Sequence, residues 1–433
     1  MKNEYKQLKP YLMLWSTQSL SSLGSGMTGY ALVLWLYLRS GSALKTALLS
    51  VCSYAPYIIM SIFAGALSDR WNKKRTMLIC DLIAAVSTVT VCALIRTESL
   101  QAWHLYFLNG LSGLMNTVQQ PAGEVAATLL IPRECYQKTS GLRSFSQSLN
   151  SILTPILATA LFSFAGMETV IAVDLLTFAV AFLTLWLFIE IPQERFTEEA
   201  GEGKEKLLMS ARAGLHWLRQ NPLILKLILF LACINLVASV YNAALPAMLL
   251  SRENGGEAVL GMVNTFVGIA TLAGSIFVTV SPKPKNRVRA ICLALFVSMS
   301  TENFLLAFGN GVTVWCIGAV LGWIFVPYMN ANMDVIFRST IPSKMQGRVY
   351  ACRNTLQFFS IPVGYMAGGW LVDRVFEPLM ARQSAGVLTS LFGSGKGSGA
   401  AMLFGVCGVA GVMVCLYFQV LLKKESWSED KVF

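Results

Sequence analysis

Five carboxylates stand inside stretches that are otherwise apolar for about twenty residues: Asp81, Glu124, Asp174, Glu302 and Asp334. Placing an ionisable group in such a stretch costs about 2.5–3.5 kcal/mol on membrane-insertion scales. A carboxylate kept at that cost can bind a proton, bind a cation, or pair with a buried donor. Glu124 ends a polar series, Ser112, Asn116, Gln120 and Glu124, that repeats every four residues and so forms one stripe of a helix. Such a stripe is expected to face a cavity or a neighbouring helix. Glu124 then reads equally as a proton or cation site and as a buried structural partner. Pro121 within the series predicts a bend, because it frees a backbone carbonyl. Glu302, beside Asn303, is a second proton or cation candidate. Asp334 is a third, lying four residues from both Asn330 and Arg338, so that a network with Arg338 is expected along the helix face. Asp81 and Asp174 lie near the ends of their segments and are expected to be structural.

These acids need helices to position them. Hydrophobic residues make up 55% of the 433-residue chain and charged residues 13%, about half the ~25% usual in soluble domains. So few charges cannot cover a soluble surface of this size, and the chain reads as an integral membrane protein. Twelve segments have the roughly 20 apolar residues needed to cross a bilayer. In the first half they lie at approximately 11–38, 45–68, 76–95, 103–130, 141–165 and 168–190. In the second they lie at approximately 223–250, 257–281, 287–308, 312–338, 348–372 and 398–422. Their apolar residues are continuous rather than alternating, which argues against a β-barrel. Residues 1–10 are polar, and the apolar run after them is too long for a signal peptide. The expectation is an all-α membrane protein with twelve transmembrane helices in two six-helix halves. Residues 1–190 form the first half, 191–222 a cytoplasmic linker and 223–433 the second half. Leu207–Arg219 of the linker has the spacing of an amphipathic surface helix.

The net charge of +11, from 34 basic and 23 acidic residues, fits this topology. With both termini cytoplasmic, 26 basic residues fall on the inner side and 7 on the outer, and Lys226 sits at the linker junction. That is the positive-inside pattern. The excess charge therefore calls for a lipid bilayer and not for nucleic acid. The halves also repeat: Ile131-Pro132, Arg143 and Gln147 recur 210 residues later as Ile341-Pro342, Arg353 and Gln357. A parallel repeat of six helices puts both copies on one side of the membrane.

Between the second and third segments runs Gly65-Ala-Leu-Ser-Asp69-Arg70-Trp-Asn72-Lys73-Lys74-Arg75. Gly65 permits close helix approach, Asp69 can cap or pair, and the basic cluster stays in the cytoplasm. The sequence resembles the signature of the major facilitator family, which usually has Gly where this chain has Asn72. Asn is the best replacement for Gly if the turn needs positive φ. Further resemblance to the drug-efflux branch related to bacterial macrolide-efflux proteins runs through Trp15-Ser-Thr-Gln18, Ser40-Gly-Ser-Ala43, Asp81-Leu-Ile, Ser146-Gln147-Ser148, Asp174, Leu218-Arg-Gln-Asn221 and Gly347-Arg348-Val349. Relatives of this kind often carry Asn where this chain has Glu124, and an Arg in the fourth segment that is missing here. The resemblance implies the major facilitator fold, a gating role for Gly65, Asp69, Arg70, Lys73, Lys74 and Arg75, and proton-driven export of small amphipathic, macrolide-like drugs from a bacterial cell. It implies no enzyme activity and no cofactor beyond the proton gradient, and a monomer is expected. Export of a siderophore, peptide or lipid, or a non-transporting receptor or assembly factor on the same scaffold, are the other readings. In this fold the first, fourth, seventh and tenth segments line the pathway. Gln18, Ser22, Asn116, Gln120, Asn235, Ser239, Tyr241, Asn242 and Asn330 are therefore cavity candidates.

Three patterns are set aside. Gly24-Ser-Gly26-Met-Thr-Gly29 imitates a dinucleotide fingerprint but has no preceding strand, and fits helix packing instead. Gly393-Ser-Gly-Lys396-Gly-Ser-Gly399 lacks the spacing of a phosphate loop. Ten cysteines without a CxxC pair, and two distant histidines, His104 and His216, form no metal motif.

Overall fold

The computed structural model describes residues 2–131, 135–192, 203–342, 345–383 and 386–423. Side chains are described at all of these except 2–7, 61–70, 136–138, 140, 203–211, 346–347 and 351. The described residues are helical, with no strand among them. In order, the helices are α1 (Lys2–Ser40), α2 (Ala43–Arg70), α3 (Lys73–Arg96), α4 (Ala102–Leu130), α5 (Tyr136–Phe188), α6 (Gly203–Gln220), α7 (Pro222–Ser251), α8 (Glu257–Val280) and α9 (Arg287–Phe308). They continue as α10 (Val312–Trp323), α11 (Val326–Thr340), α12 (Gln346–Phe358) and α13 (Ser360–Leu371). A π-helical turn (Val372–Phe376) follows, then α14 (Glu377–Ala381), α15 (Val387–Phe392) and α16 (Ser398–Lys423).

Eight segments of the described residues are long and apolar enough to cross a membrane: Ala43–Met60, Lys73–Arg96, Gly141–Phe188, Pro222–Ser251, Glu257–Val280, Arg287–Phe308, Val312–Thr340 and Ser398–Lys423. Gly141–Phe188 covers two of the twelve expected segments, because α5 reverses within it at Gly166 (φ 78°, ψ 174°), a conformation open to glycine. The tenth expected segment is broken into α10 and α11, since Pro327 has no N–H for the carbonyl four residues back. Pro121, by contrast, leaves α4 a single helix from Ala102 to Leu130. Phe107, Phe164, Leu176, Val280 and Val420 are exposed on these helices. Apolar side chains turned outward along long helices suit a hydrocarbon surrounding.

Contacts divide the chain into two compact units: Met1–Ser40 with Leu48–Glu198, and Gly41–Ala47 with Glu199–Phe433. In the first, α1 lies along α5. Gly24 lets the backbones meet, since a Cβ there would stand 3.0 Å from the Cα of Asp174. Gly24 and Gly26 of the false dinucleotide pattern thus serve packing, as expected, whereas a Cβ at Gly29 would meet nothing within 4 Å. A core of Met27, Ala31, Leu36, Val91, Leu105 and Ile171 fills one region of this unit, and Leu14, Met77, Ala122, Ala126, Leu185 and Ile189 fill another.

In the second unit α7 is the central helix, packed by α13 through Gly364 and Gly368 and by α16 through ring contacts of Phe230 with Phe418 and Tyr241 with Phe404. Asp373 of the π-turn accepts hydrogen bonds from the Ser42 hydroxyl (2.6 Å) and from the backbone N–H groups of Ala43 (2.9 Å) and Leu44 (3.0 Å). The first turn of α2 is held there as a capped helix N-terminus. The linker helix α6 also belongs to this unit, with Gly214 against the backbone of Arg348.

Candidate functional site

Three helices of the first unit turn a polar stripe toward one another. On α1, Tyr11, Trp15, Gln18 and Ser22 follow at helical spacing, and on α5 so do Arg143, Ser146, Gln147 and Asn150. On α4, Gln120, Glu124 and Ala127 face the same way, while Ala122 and Ala126 turn into the apolar core. Together with Met77 of α3 these residues enclose a cavity of about 370 Å³, within the range that holds a drug-sized molecule.

Glu124 is the acid of this cavity, and it is paired. The guanidinium of Arg143 donates to its carboxylate at 2.7 Å, with the two side chains 52% and 49% exposed respectively. Neither a lone proton site nor a fully buried partner describes it: it is a half-exposed ion pair. The cation missing from α4 is supplied by the neighbouring helix. Arg143 is not among the expected site residues and enters the sequence analysis only through the repeat. That repeat carries the signal for a site role. The 210-residue offset relating Arg143 to Arg353 and Gln147 to Gln357 also relates Gln120 to Asn330 and Glu124 to Asp334.

Behind the cavity wall stands Asp81. It accepts from the amide nitrogens of Gln119 (2.5 Å) and Gln18 (3.4 Å), both of which line the cavity. Trp15 donates its indole N–H to the carbonyl of Leu142 (3.2 Å) and to the Ser146 hydroxyl (3.3 Å), and Asn150 donates to the carbonyl of Ser19 (3.2 Å). These bonds stitch α1 to α5 and fix the orientation of the lining side chains.

The other expected residues distribute differently. Gln18, Ser22 and Gln120 line the cavity, whereas Asn116 is exposed and not part of its wall. In the second unit, Asn235 donates to the carbonyl of Gln357 (3.2 Å), Ser239 is buried where Gly364 meets α7, and Asn330 and Asp334 are exposed. Asn242 is partly buried one position beyond Tyr241. Among the described residues no ion pair joins Asp334 to Arg338. Asp334 instead acts electrostatically on Arg353, whose guanidinium also bonds the Gln357 side chain (3.1 Å) and lies 4.7 Å from the ring centroid of Phe337. The aromatic face takes up the cation that an acid holds in the first unit.

Glu302 is buried. It is 3% exposed and accepts from the indole N–H of Trp323 (2.8 Å), the last residue before the break between α10 and α11. Gly322 packs against its side chain, and Tyr241 of α7 faces its carboxyl. Asp174, expected to cap or pair near a helix end, is buried mid-helix and accepts from the Ser25 hydroxyl (3.0 Å).

Of the signature loop, the side chains of Gly65, Asp69 and Arg70 lie outside the described residues. Asn72 has φ −63°, so its position does not require positive φ. Its side chain caps α3 by accepting from the Arg75 N–H (3.0 Å). Lys73 donates to the carbonyl of Trp71 (3.3 Å) and Lys74 to that of Trp186 (2.9 Å). The false phosphate loop at 393–399 is also explained. The backbone N–H groups of Gly397 and Ala400, at the start of α16, both donate to Glu377 at 3.1 Å. An anion does sit at this helix N-terminus, and it is the protein's own carboxylate.

Two helical units, eight segments apolar enough to cross a membrane and a cavity of mixed polar and apolar lining are the marks of a multispanning membrane transporter. The chain belongs to the Major Facilitator Superfamily, whose family model matches residues 14–365. Macrolide efflux protein A of Streptococcus pyogenes is 24% identical to it over 370 residues, 84% of this chain and 90% of that protein. The multidrug efflux pump Tap of Mycolicibacterium fortuitum is 24% identical over 380 residues, covering 84% and 89%. The enterobactin exporter EntS of Salmonella typhimurium is 22% identical over 338 residues, covering 76% and 78%. Among solved structures, a bacterial homologue of the human lysosomal transporter Spinster aligns with a TM-score of 0.70 at 14% identity, over 97% of this chain and 98% of that one. The nucleoside transporter NupG aligns with a TM-score of 0.66 at 12% identity, over 96% and 99%.

Proposed function

We propose that this chain is a proton-coupled exporter of small amphipathic molecules, macrolide-like drugs among them, working by alternating access in a bacterial cell membrane with both termini cytoplasmic. The observation that carries the reading is the cavity of the first unit, which joins apolar walls to a half-exposed carboxylate–guanidinium pair. Glu124 can release Arg143 and take a proton or a substrate cation instead. One carboxylate open to either gives the mutual exclusion that antiport requires. A single charge moving through 100 mV supplies about 2.3 kcal/mol. The names of the macrolide and multidrug efflux relatives agree with this reading.

Glu302 and Asp334 are further proton candidates on this reading, and Lys73, Lys74 and Arg75 belong with the gating loop. The enterobactin exporter among the relatives favours a siderophore as the second substrate class. The test is reconstitution in liposomes with an imposed pH gradient, following proton flux on addition of macrolides, lipophilic cations and siderophores. Flux with the first two classes is expected. Flux with siderophores alone would replace the substrate assignment, and absence of flux with every class would overturn the exporter reading.

A further inference from the structure

At one end of the second unit a cavity of about 230 Å³ opens between the start of α9 and the last turns of α16. It is smaller than the roughly 300 Å³ at which drug-sized pockets begin. Its polar lining is Asn286 and Arg289 from α9 and Gln419 and Lys423 from α16, with Cys292 and Leu422 buried behind them. Further along, the two helices meet closely at glycines. A Cβ at Gly411 would stand 2.8 Å from the Cβ of Met299, and one at Gly408 2.7 Å from the Phe304 ring. Beyond Gly411 α16 has no further glycine, and the helices leave this hollow between their ends.

Charge in the hollow is one-sided. Arg289 and Lys423 are both exposed, no carboxylate lines the cavity, and among the described residues neither cation has an acidic partner. The Asn286 side-chain oxygen is taken by the backbone N–H of Arg289 (2.9 Å), which leaves its amide nitrogen to donate. Lys423 complements the dipole at the end of α16. Arg289 stands in the first turn of α9, where the dipole opposes a cation and no acid compensates. Its neighbour Arg287 is buried and donates to the Asn332 side chain (2.9 Å), but the Arg289 guanidinium has no such use inside the protein. The positive-inside rule is met by a basic residue anywhere on this side, so the convergence of two on one hollow is a property of the fold.

The surface beside the hollow selects the anion. Leu293 follows Arg289 by one turn of α9, and Leu416 lies on the α16 stripe that Gln419 and Lys423 continue. Both leucines are exposed, on helices long and apolar enough to cross a membrane. We propose that the cavity binds the headgroup of an anionic phospholipid, with Arg289 and Lys423 clamping the phosphate and the acyl chains lying over Leu293 and Leu416. Basic hollows between spans at the membrane surface suit such headgroups. A zwitterionic headgroup fits less well, because its ammonium would meet two cations and no carboxylate. With the termini cytoplasmic, as proposed above, the lipid belongs to the inner leaflet, but its binding depends neither on that orientation nor on transport.

The test titrates the full chain in neutral detergent micelles with dioleoyl-phosphatidylglycerol or dioleoyl-phosphatidylcholine and reads the first bound lipid by native mass spectrometry. Phosphatidylglycerol is expected to bind at least about tenfold tighter. Arg289→Gln and Lys423→Gln should each weaken it about fivefold and together about 25-fold, at about 1 kcal/mol per basic side chain and about 1.4 kcal/mol per tenfold. Arg289→Lys, which keeps the charge, should bind like the parent. Lys283→Gln with Lys285→Gln removes as much charge from the segment before α9 without touching the cavity, and should also leave the affinity unchanged. Neither inorganic phosphate nor glycerophosphoglycerol, the headgroup without its chains, should displace the lipid at equal concentration. Equal affinity for the two lipids, no loss in the Arg289→Gln, Lys423→Gln double variant, or as large a loss in the Lys283, Lys285 variant would each overturn the proposal. Displacement by phosphate or glycerophosphoglycerol would overturn it in favour of a soluble anion. None of these outcomes depends on substrate-driven flux, so failure of the exporter reading would leave the site standing.

Discussion

Exchange at Glu124 requires that its bond to Arg143 be weak, and the structure sets that strength. The contact is short, 2.7 Å, but the side chains are 49% and 52% exposed. Exposed pairs of this kind contribute about 0.2–1 kcal/mol, because water screens the charges and rehydrates whichever partner is left. A double-mutant cycle of Glu124→Gln, Arg143→Gln and the combined variant measures this directly, by equilibrium unfolding in mixed detergent–SDS micelles. Each single change should cost less than about 1 kcal/mol, and the coupling energy should fall between 0.2 and 1 kcal/mol. At that strength a competing cation or proton meets at most about a fivefold penalty in displacing Arg143, by the conversion of 1.4 kcal/mol to tenfold. A coupling above about 2 kcal/mol would refute the reasoning, since the pair would then be a structural lock and not an exchangeable contact.

Asn72→Ala should destabilise by about 1 kcal/mol through loss of the α3 cap, whereas Asn72→Gly should cost only a few tenths. The same unfolding assay separates them, and equal losses would contradict the capping role. Gly322→Ala places a Cβ about 2.6 Å from the Glu302 side chain and should cost about 1–3 kcal/mol by overpacking. Adding Glu302→Ala should recover part of that loss. At Glu377, burial pushes the carboxyl up, while the N–H groups of Gly397 and Ala400 and the charge of Arg252 oppose the shift without cancelling it. The folded chain then takes up this proton more readily than the unfolded one. The group's stability contribution is present below the ordinary carboxylate range and lost as pH rises through the raised value. A profile of Tm against pH should therefore lose part of its slope above about pH 4.3, the ordinary Glu value, in Glu377→Gln, and an identical slope would refute the assignment.

The legible part of this protein was one-dimensional. Apolar runs of about twenty residues marked the spans, and the i, i+4 spacing on α4 placed Gln120 and Glu124 on one stripe. The linker composition marked α6, whose Gly203–Gln220 span encloses the expected Leu207–Arg219. Where the reading fell short, a partner from another helix decided the outcome. Asp81 and Asp174 are expected to be structural from their places in the sequence, and their donors, Gln119, Gln18 and Ser25, come from α4 and α1. Glu302 is a proton or cation candidate by its place in an apolar segment, and the side chains that enclose it, Trp323 and Tyr241, come from other helices. Asn72 was compared with the family glycine through its φ, while its side chain was doing the capping.

Sequence by itself determined the solvent, the helical class and the residue types available for chemistry, because hydropathy and helical period are properties of a segment alone. Only the tertiary structure decided which of those residues meet. Glu124 and Arg143 lie 19 residues apart on different helices, and their contact depends on the rotation of α4 against α5, which the packing of Ala122 and Ala126 into the apolar core sets. The same residue types recur 210 positions later, yet there Arg353 lies over Phe337 and Asp334 stays exposed. Repeated residues gave different contacts because the neighbouring side chains differ.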